Sequence, residues 1–182
     1  MSDLTLAGIS GALRAGSTNT KLLHEAGRLF APARFEVGDL RLPLYDGDLE
    51  TAQGIPAEVT ALFEMIDRAD AVVISSPEYN KAPPGVLKNA LDWVSRVKGN
   101  PWAGKPVAIM SATAGRAGGE RTQFALRLML MAFRPRLLQG PEVLVAASGD
   151  QFDDDGRLVN EVNLKALTEL MAVLRAEAER GR

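Results

Sequence analysis

Asp70-Ala71-Val72-Val73-Ile74-Ser75-Ser76-Pro77-Glu78-Tyr79-Asn80-Lys81-Ala82-Pro83-Pro84-Gly85 decides how this chain folds. Val72, Val73 and Ile74 are consecutive β-branched residues, the composition of a parallel strand buried on both faces. Asp70–Ser76 is therefore read as a strand. The segment after it is stiffened by Pro77 and by Pro83-Pro84, which restrict their own backbone and that of the residues before them. Proline suits a first helical turn, where its missing N–H has no intrahelical partner, so a helix is expected from Pro83 to about Val97.

Working outward, the same alternation recurs. Upstream, Leu4–Ser10 reads as a buried strand and Thr20–Phe30 as a helix, with apolar residues at 22, 23, 26, 29 and 30. Phe35–Leu40 is a second strand, Pro43–Pro56 a Pro-, Gly- and acid-containing loop, and Ala57–Ala69 a helix with Val59, Leu62, Phe63 and Ile66 on one face. Downstream, Lys105–Ala112 is a strand, and the Gly-rich loop Thr113–Gly119 leads into a helix ending near Phe133. Glu142–Ala147 is the last strand and Asn160–Glu179 the closing helix. Five strands alternating with five helices predict an α/β fold, an open, mainly parallel sheet covered on both faces. No linker, repeat or low-complexity stretch divides residues 1–182, so one domain is expected.

Composition bounds the chemistry. The 182 residues are 46% hydrophobic and 24% charged, with 21 Lys+Arg against 23 Asp+Glu for a net charge of −2. Near-neutrality argues against a dominant nucleic-acid or anionic-membrane surface. The absence of cysteine removes disulfides, thiol nucleophiles, Cys-ligated zinc and iron–sulfur clusters, and suits a reducing compartment. The single histidine, His24, removes most His-based metal sites and the usual Ser-His-Asp triads. Met1-Ser2-Asp3-Leu4 carries no basic stretch ahead of an apolar run, and no run approaches the roughly 18 apolar residues of a membrane span, so a cytoplasmic protein is expected.

In open parallel sheets ligands bind outside the carboxyl ends of the strands, and three loops there are unusual. Ser10–Thr20 combines small residues, the hydroxyls of Ser10, Ser17, Thr18 and Thr20, the amide of Asn19, one charge (Arg14) and a helix N-terminus. These are the parts of an anion site; Ser17, Thr18 or Asn19 read equally well as a simple helix cap. The loop matches neither G-x-x-x-x-G-K-[ST] nor G-x-G-x-x-G. Pro77, Glu78, Tyr79 and Asn80 present a carboxylate, an aromatic face and an amide on rigid backbone, which suits a planar heteroaromatic ligand. Ser111–Gly119, with three glycines, permits close backbone approach. One loop for a phosphate and two for a flat ring make a phosphorylated flavin or nucleotide the natural ligand.

S-G-A-L-R-A-G-S-T-N (Ser10–Asn19), S-P-E-Y-N (Ser76–Asn80) and the Gly115–Gly119 loop resemble the NADPH-dependent FMN reductase family, flavodoxin-like proteins that include quinone, chromate and azo-dye reductases. The resemblance extends to L-P-L-Y-D (Leu42–Asp46) and L-K-N-A-L-D-W (Leu87–Trp93) and covers essentially the whole chain. It implies a flavodoxin-like three-layer sandwich with a five-stranded parallel sheet in the order 2-1-3-4-5. It implies FMN as cofactor, NADPH or NADH as donor, and a ping-pong hydride transfer through FMN to a quinone or other small acceptor. By position, Ser10, Arg14, Ser17, Thr18, Asn19 and Thr20 match the phosphate segment. Pro77, Glu78, Tyr79 and Asn80 match the segment along the ring and ribityl, and Ser111, Thr113, Ala114 and Gly115 the loop on the ring's other side. Glu78 and Tyr79 are expected to shape the acceptor pocket, and Arg116 to meet the donor nucleotide's phosphates. No acid or base side chain is obligatory, because the flavin carries the reaction. Two departures stand out: Ala12 and Thr113-Ala114 occupy positions where relatives usually carry Ser and often Ser-Pro.

The competing readings are a flavodoxin-type single-electron carrier, which a net charge of −2 disfavours, and a non-enzymatic protein with a degenerate pocket. The helix Gly119–Phe133 is apolar around most of its circumference, so it needs burial on two sides. One is the sheet and the other a second subunit, in the homodimer or homotetramer that the resemblance also implies. Trp93 and Trp102 are readable as interface or core, His24 as a solvated helix residue, and Asp153-Asp154-Asp155-Gly156 as an acidic turn, since no glutamate follows at calcium-loop spacing.

Overall fold

The computed structural model describes residues 3–181; Met1 and Ser2, part of the segment read for targeting, lie outside the described residues. Strands and helices follow one another along the chain: β1 (Thr5–Ser10), α1 (Thr18–Phe30), β2 (Arg34–Gly38), α2 (Gly47–Gln53), α3 (Ala57–Arg68), β3 (Ala71–Ser75), α4 (Gly85–Val94), β4 (Pro106–Ala112), α5 (Glu120–Leu130), β5 (Arg136–Leu137), β6 (Leu144–Val145) and α6 (Glu161–Arg180). The sheet is parallel throughout, in the order β2-β1-β3-β4-β5, with β6 also paired to β4. This is the expected flavodoxin-like topology.

Alternation of side chains across the strands builds two cores. Leu4, Leu6, Val73 and Met110 face α1 and α6 through Leu22, Leu23, Phe30, Leu167 and Leu174. Ala7, Ile9, Val72, Ile74 and Ile109 face α3, α4 and α5 through Leu62, Ile66, Leu87, Leu91 and Leu126. Every residue of β3 and β4 is buried, which is why both read as continuous apolar runs rather than alternating ones. Burial of each large apolar side chain contributes about 1.5–3 kcal/mol, so these two layers hold the strand ends rigidly.

Strand register brings three loops together. Ser10 lies beside Ser75, and Ser75 beside Met110, so the loops after β1, β3 and β4 leave the sheet side by side. Strand order reverses between β1 and β3, and a crevice at such a switch point is where open α/β sheets bind ligands.

Four readings need correction. The segment expected as loop over Pro43–Pro56 contains α2, started by Asp46, whose carboxylate accepts the Asp48 N–H at 2.9 Å. The strand expected over Glu142–Ala147 is shortened to β6, and a two-residue strand the sequence did not announce, β5, precedes it; both pair with β4, and the connection between them contains Pro141, which has no N–H to give a ladder. Pro83 and Pro84 precede α4 rather than form its first turn, Pro84 being the N-cap, and α4 ends at Val94. The fifth helix is α-helical only to Leu130, continuing as a 3-10 turn over Met131–Phe133. Trp93 and Trp102 are core residues, both essentially inaccessible, with the Trp93 indole N–H donating to Pro43 O at 2.8 Å. His24 is exposed, as expected.

Candidate functional site

Asn19 ties the first loop to the sheet. Its amide is buried, accepts from Ser75 Oγ at 3.0 Å and from the Ala112 N–H at 3.0 Å, and donates to Ala112 O at 2.7 Å. One side chain thereby pins the N-terminus of α1 to the ends of β3 and β4. Ser17 is the N-cap: its hydroxyl accepts the Asn19 N–H at 3.2 Å. The helix-cap reading of this loop is met, and a cap that fixes the helix start also fixes where the unpaired N–H groups of the first turn point.

Ser10 and Thr20 brace the loop from its other side. Their hydroxyls are 3.0 Å apart, and Ser10 Oγ accepts the Ala12 N–H at 3.3 Å. They line an adjoining recess with Arg14, Val37 and Arg41 rather than the main cleft. Ala12 is nearly buried and lines the cleft with its methyl group, where a serine would have added a hydroxyl.

The second loop is held at three points. Ser76 Oγ donates to Pro77 O at 3.0 Å and meets Thr122 Oγ1 at 3.1 Å. The Glu78 carboxylate accepts the Arg121 backbone N–H at 3.1 Å and pairs with its guanidinium at 3.4 Å. Arg121 lies in the first turn of α5, so a negative charge sits where the helix dipole favours one. Tyr79 and Ala82 exchange backbone bonds of 2.9 and 3.1 Å, closing a two-residue hairpin over Asn80 and Lys81. Tyr79 is half exposed and presents its ring to the cleft.

In the third loop, Ser111 is fully buried; its hydroxyl donates to Gly118 O at 2.6 Å and accepts from Gln123 Nε2 at 2.9 Å. It braces the loop from behind and does not line the cleft. The turn continues through Gly118 and Gly119, both at positive φ (61° and 91°). At Gly118 an added Cβ would stand 2.6 Å from the Leu144 backbone, so glycine is required there for close approach. Gly115 and Arg116 are exposed at the loop's outer end.

These loops enclose a cleft of about 330 Å³, inside the roughly 300–1,000 Å³ range of cofactor sites. Arg14, Ser17, Thr18, Asn19, Pro77, Glu78, Tyr79, Thr113 and Ala114 of the expected residues line it together. Ser148 and Gly149 form a further wall that the sequence reading missed. Ser148 Oγ lies 3.0 Å from Thr18 Oγ1, and its N–H donates to Thr113 O at 3.0 Å. It follows a two-residue strand, so no local pattern marks it. A larger recess of about 450 Å³ lies between α4 and α5, lined by Leu91, Met129 and Phe133; its one ion pair, Lys88–Asp92, is self-contained. It is away from the strand ends and lacks a convergent donor set. No group of His, Cys, Asp and Glu able to hold a metal occurs among the described residues.

The donor set fits an FMN-like ligand. The cleft lining combines Arg14, the hydroxyls of Ser17 and Thr18 and the N-terminus of α1 with Pro77, Tyr79 and Ala114, and its one carboxylate, Glu78, is paired with Arg121. A parallel 2-1-3-4-5 sheet with such a cleft at its switch point defines a flavodoxin-like flavoprotein. The family model for NADPH-dependent FMN reductase matches residues 4–150, and the chain belongs to that family. It is 43% identical over 161 residues to an NAD(P)H-dependent FMN reductase of Pseudomonas aeruginosa, covering 87% of this chain and 86% of the relative. It is 39% identical over 170 residues to a quinone reductase of Escherichia coli, covering 91% and 90%. Among solved structures, the Paracoccus denitrificans flavoenzyme FerB, an NAD(P)H:(acceptor) oxidoreductase, superposes with a TM-score of 0.87 at 30% identity, over 97% of this chain and 98% of that one. These relatives are reductases by name, which upholds the oxidoreductase reading over the electron-carrier one.

Proposed function

We propose that this chain binds FMN in the cleft between its three strand-end loops and passes electrons from NADPH or NADH to a small acceptor: a quinone, chromate, an azo compound or a free flavin. The observation that carries the proposal is the convergence, in one cleft, of a phosphate-type donor set and flat walls suited to a ring. FMN, when bound, supplies the electron-transfer chemistry itself.

The protein's part is to bind, orient and exclude. Arg14, Ser17 and Thr18 serve the phosphate end, joined by Ser148 through its hydroxyl pair with Thr18. Pro77, Tyr79 and Asn80 flank one side of the ring, and Thr113, Ala114 and Gly115 the other. Ser10, Thr20, Asn19 and Ser111 act one step back, fixing loop shape. Glu78 holds its loop to α5, leaving Tyr79 free to border the acceptor. Arg116 stands at the rim, on the side from which the donor nucleotide arrives.

The 182 residues work as one flavodoxin-like unit in the cytoplasm, where a cysteine-free chain suits the reducing environment. No helix among the described residues is long and apolar enough to cross a membrane. Homodimers or homotetramers are supported by α5 and the 3-10 turn that follows it: Phe124 and Leu128 of the helix and Met131 of the turn stand exposed, beside the recess between α4 and α5. Sedimentation of wild type and Leu128→Glu tests this, a shift to monomer being expected.

Titration of the apo-protein with FMN and with riboflavin, followed by NADPH and NADH oxidation with a quinone, tests the reading. Tight FMN binding, weaker riboflavin binding and quinone-dependent oxidation are expected. Absence of FMN binding overturns it, and FMN binding without nucleotide oxidation returns the carrier.

A further inference from the structure

Asn80 and Lys81 both have positive φ, 51° and 69°. With Tyr79 and Ala82 exchanging backbone bonds on either side, they are the central pair of a two-residue hairpin turn in which both positions are left-handed. Asparagine tolerates that conformation; the second position strongly favours glycine, because a Cβ crowds the following carbonyl. This chain places lysine there. The hairpin is anchored at its base by the buried Pro77, Pro83 and Pro84, and its tip adjoins Tyr79, which lines the cleft.

Lys81 is exposed and makes no hydrogen bond or ion pair among the described residues, and the nearest acid in sequence, Glu78, is committed to Arg121. A strained backbone carrying a free cation next to a cleft-lining residue is a cost without a return inside the fold, and strain of this kind collects at functional positions.

We propose that Lys81 is a specificity-determining residue for the electron donor: its ammonium receives the 2′-phosphate of NADPH and ranks NADPH over NADH. This rests on the function proposed above. The donor's nicotinamide must reach the ring in the cleft, so its adenosine phosphates extend outward past the cleft-lining Tyr79, beside which the hairpin begins. The two donors differ by that one phosphate, and a lysine at the end of a short rigid turn is a compact point charge that discriminates by charge. Arg116, also exposed and without a partner among the described residues, adds a second unpaired cation on the third strand-end loop.

The test uses the FMN-loaded protein and two variants, Lys81→Gln and Lys81→Gly. Both are expected to lower kcat/KM for NADPH about tenfold while NADH changes less than about twofold, as loss of one charge-assisted phosphate contact requires. Inhibition by NADP⁺ weakens in parallel and inhibition by NAD⁺ does not. The wild-type NADPH preference fades as salt rises, because an exposed charge pair is screened. Lys81→Gly, unlike Lys81→Gln, also raises the melting temperature by about 2–4 °C by relieving the left-handed strain. A wild type that binds FMN and oxidises both nucleotides, with Lys81→Gln leaving their ratio and the NADP⁺ inhibition unchanged, overturns this proposal alone. A wild type that binds no FMN overturns the function proposed above and this assignment with it.

Discussion

Replacing Asn19 by alanine should be among the most damaging single changes near the cleft, although the position belongs to a segment expected to touch ligand. The substitution removes three hydrogen bonds and leaves the Ala112 N–H, the Ala112 carbonyl and the Ser75 hydroxyl without their protein partner. A buried group left unsatisfied costs about 1–3 kcal/mol. The vacated space borders the cleft, so water can re-solvate part of the set, and alanine's better helix propensity returns about 0.5 kcal/mol. The net loss is about 2–4 kcal/mol, or roughly 5–12 °C in melting temperature for a chain of this length. Urea and thermal unfolding of the apo-protein measure it directly. FMN affinity should fall in the same variant, because the start of α1 is no longer held against β3 and β4. A stability loss under about 1 kcal/mol would refute the idea that this amide is the clamp between the first loop and the sheet.

Arg14→Ala should weaken FMN binding about tenfold or more while leaving riboflavin binding unchanged, since only FMN presents the phosphate; equal effects on both ligands remove Arg14 from the phosphate end. Gly118→Ala forces a Cβ to within 2.6 Å of the Leu144 backbone at a φ of 61°, and should cost about 3–5 kcal/mol in urea unfolding. Glu25 is almost fully buried in α1, and the hydrogen bond from Arg28, with help from Arg157, holds its carboxyl below the ordinary 4.5 against the opposing effect of burial. A depressed carboxylate contributes stability that is present above its ordinary range and lost as pH falls through its lowered value. Acid unfolding should therefore steepen below about pH 4.5, and Glu25→Gln should flatten that limb while lowering stability at neutral pH.

Much of this was legible in the chain because β3 and its loop are locally written. Three β-branched residues in a row, then prolines bracketing Glu78, Tyr79 and Asn80, determine strand, loop and helix with no long-range information. The capped α2 also had a signal, Asp46 ahead of Asp48 and Glu50, but the neighbouring Pro and Gly residues hid it within a loop. β5 carries none: two residues have no period, and Arg136–Leu137 is a strand only because β4 offers an edge. The same holds at the site. Arg14, Ser17 and Tyr79 could be placed by loop chemistry and Ala114 by the resemblance alone, whereas Ser148 reaches the cleft through a contact with Thr18, 130 residues away. Ser10, Thr20 and Ser111 were expected at the site, but their side chains turn to other protein groups and do not line the cleft, a distinction set by orientation that residue type does not encode.

The electron route is the central claim, and one anaerobic measurement tests it most directly. The FMN-loaded protein is mixed with NADPH in the absence of acceptor while the flavin's visible absorption is followed, and a quinone is then added. The band should bleach with consumption of one NADPH per flavin and return in full on quinone addition, as a two-stage exchange through a single site requires. A band that stays unbleached by NADPH and by NADH would contradict the account.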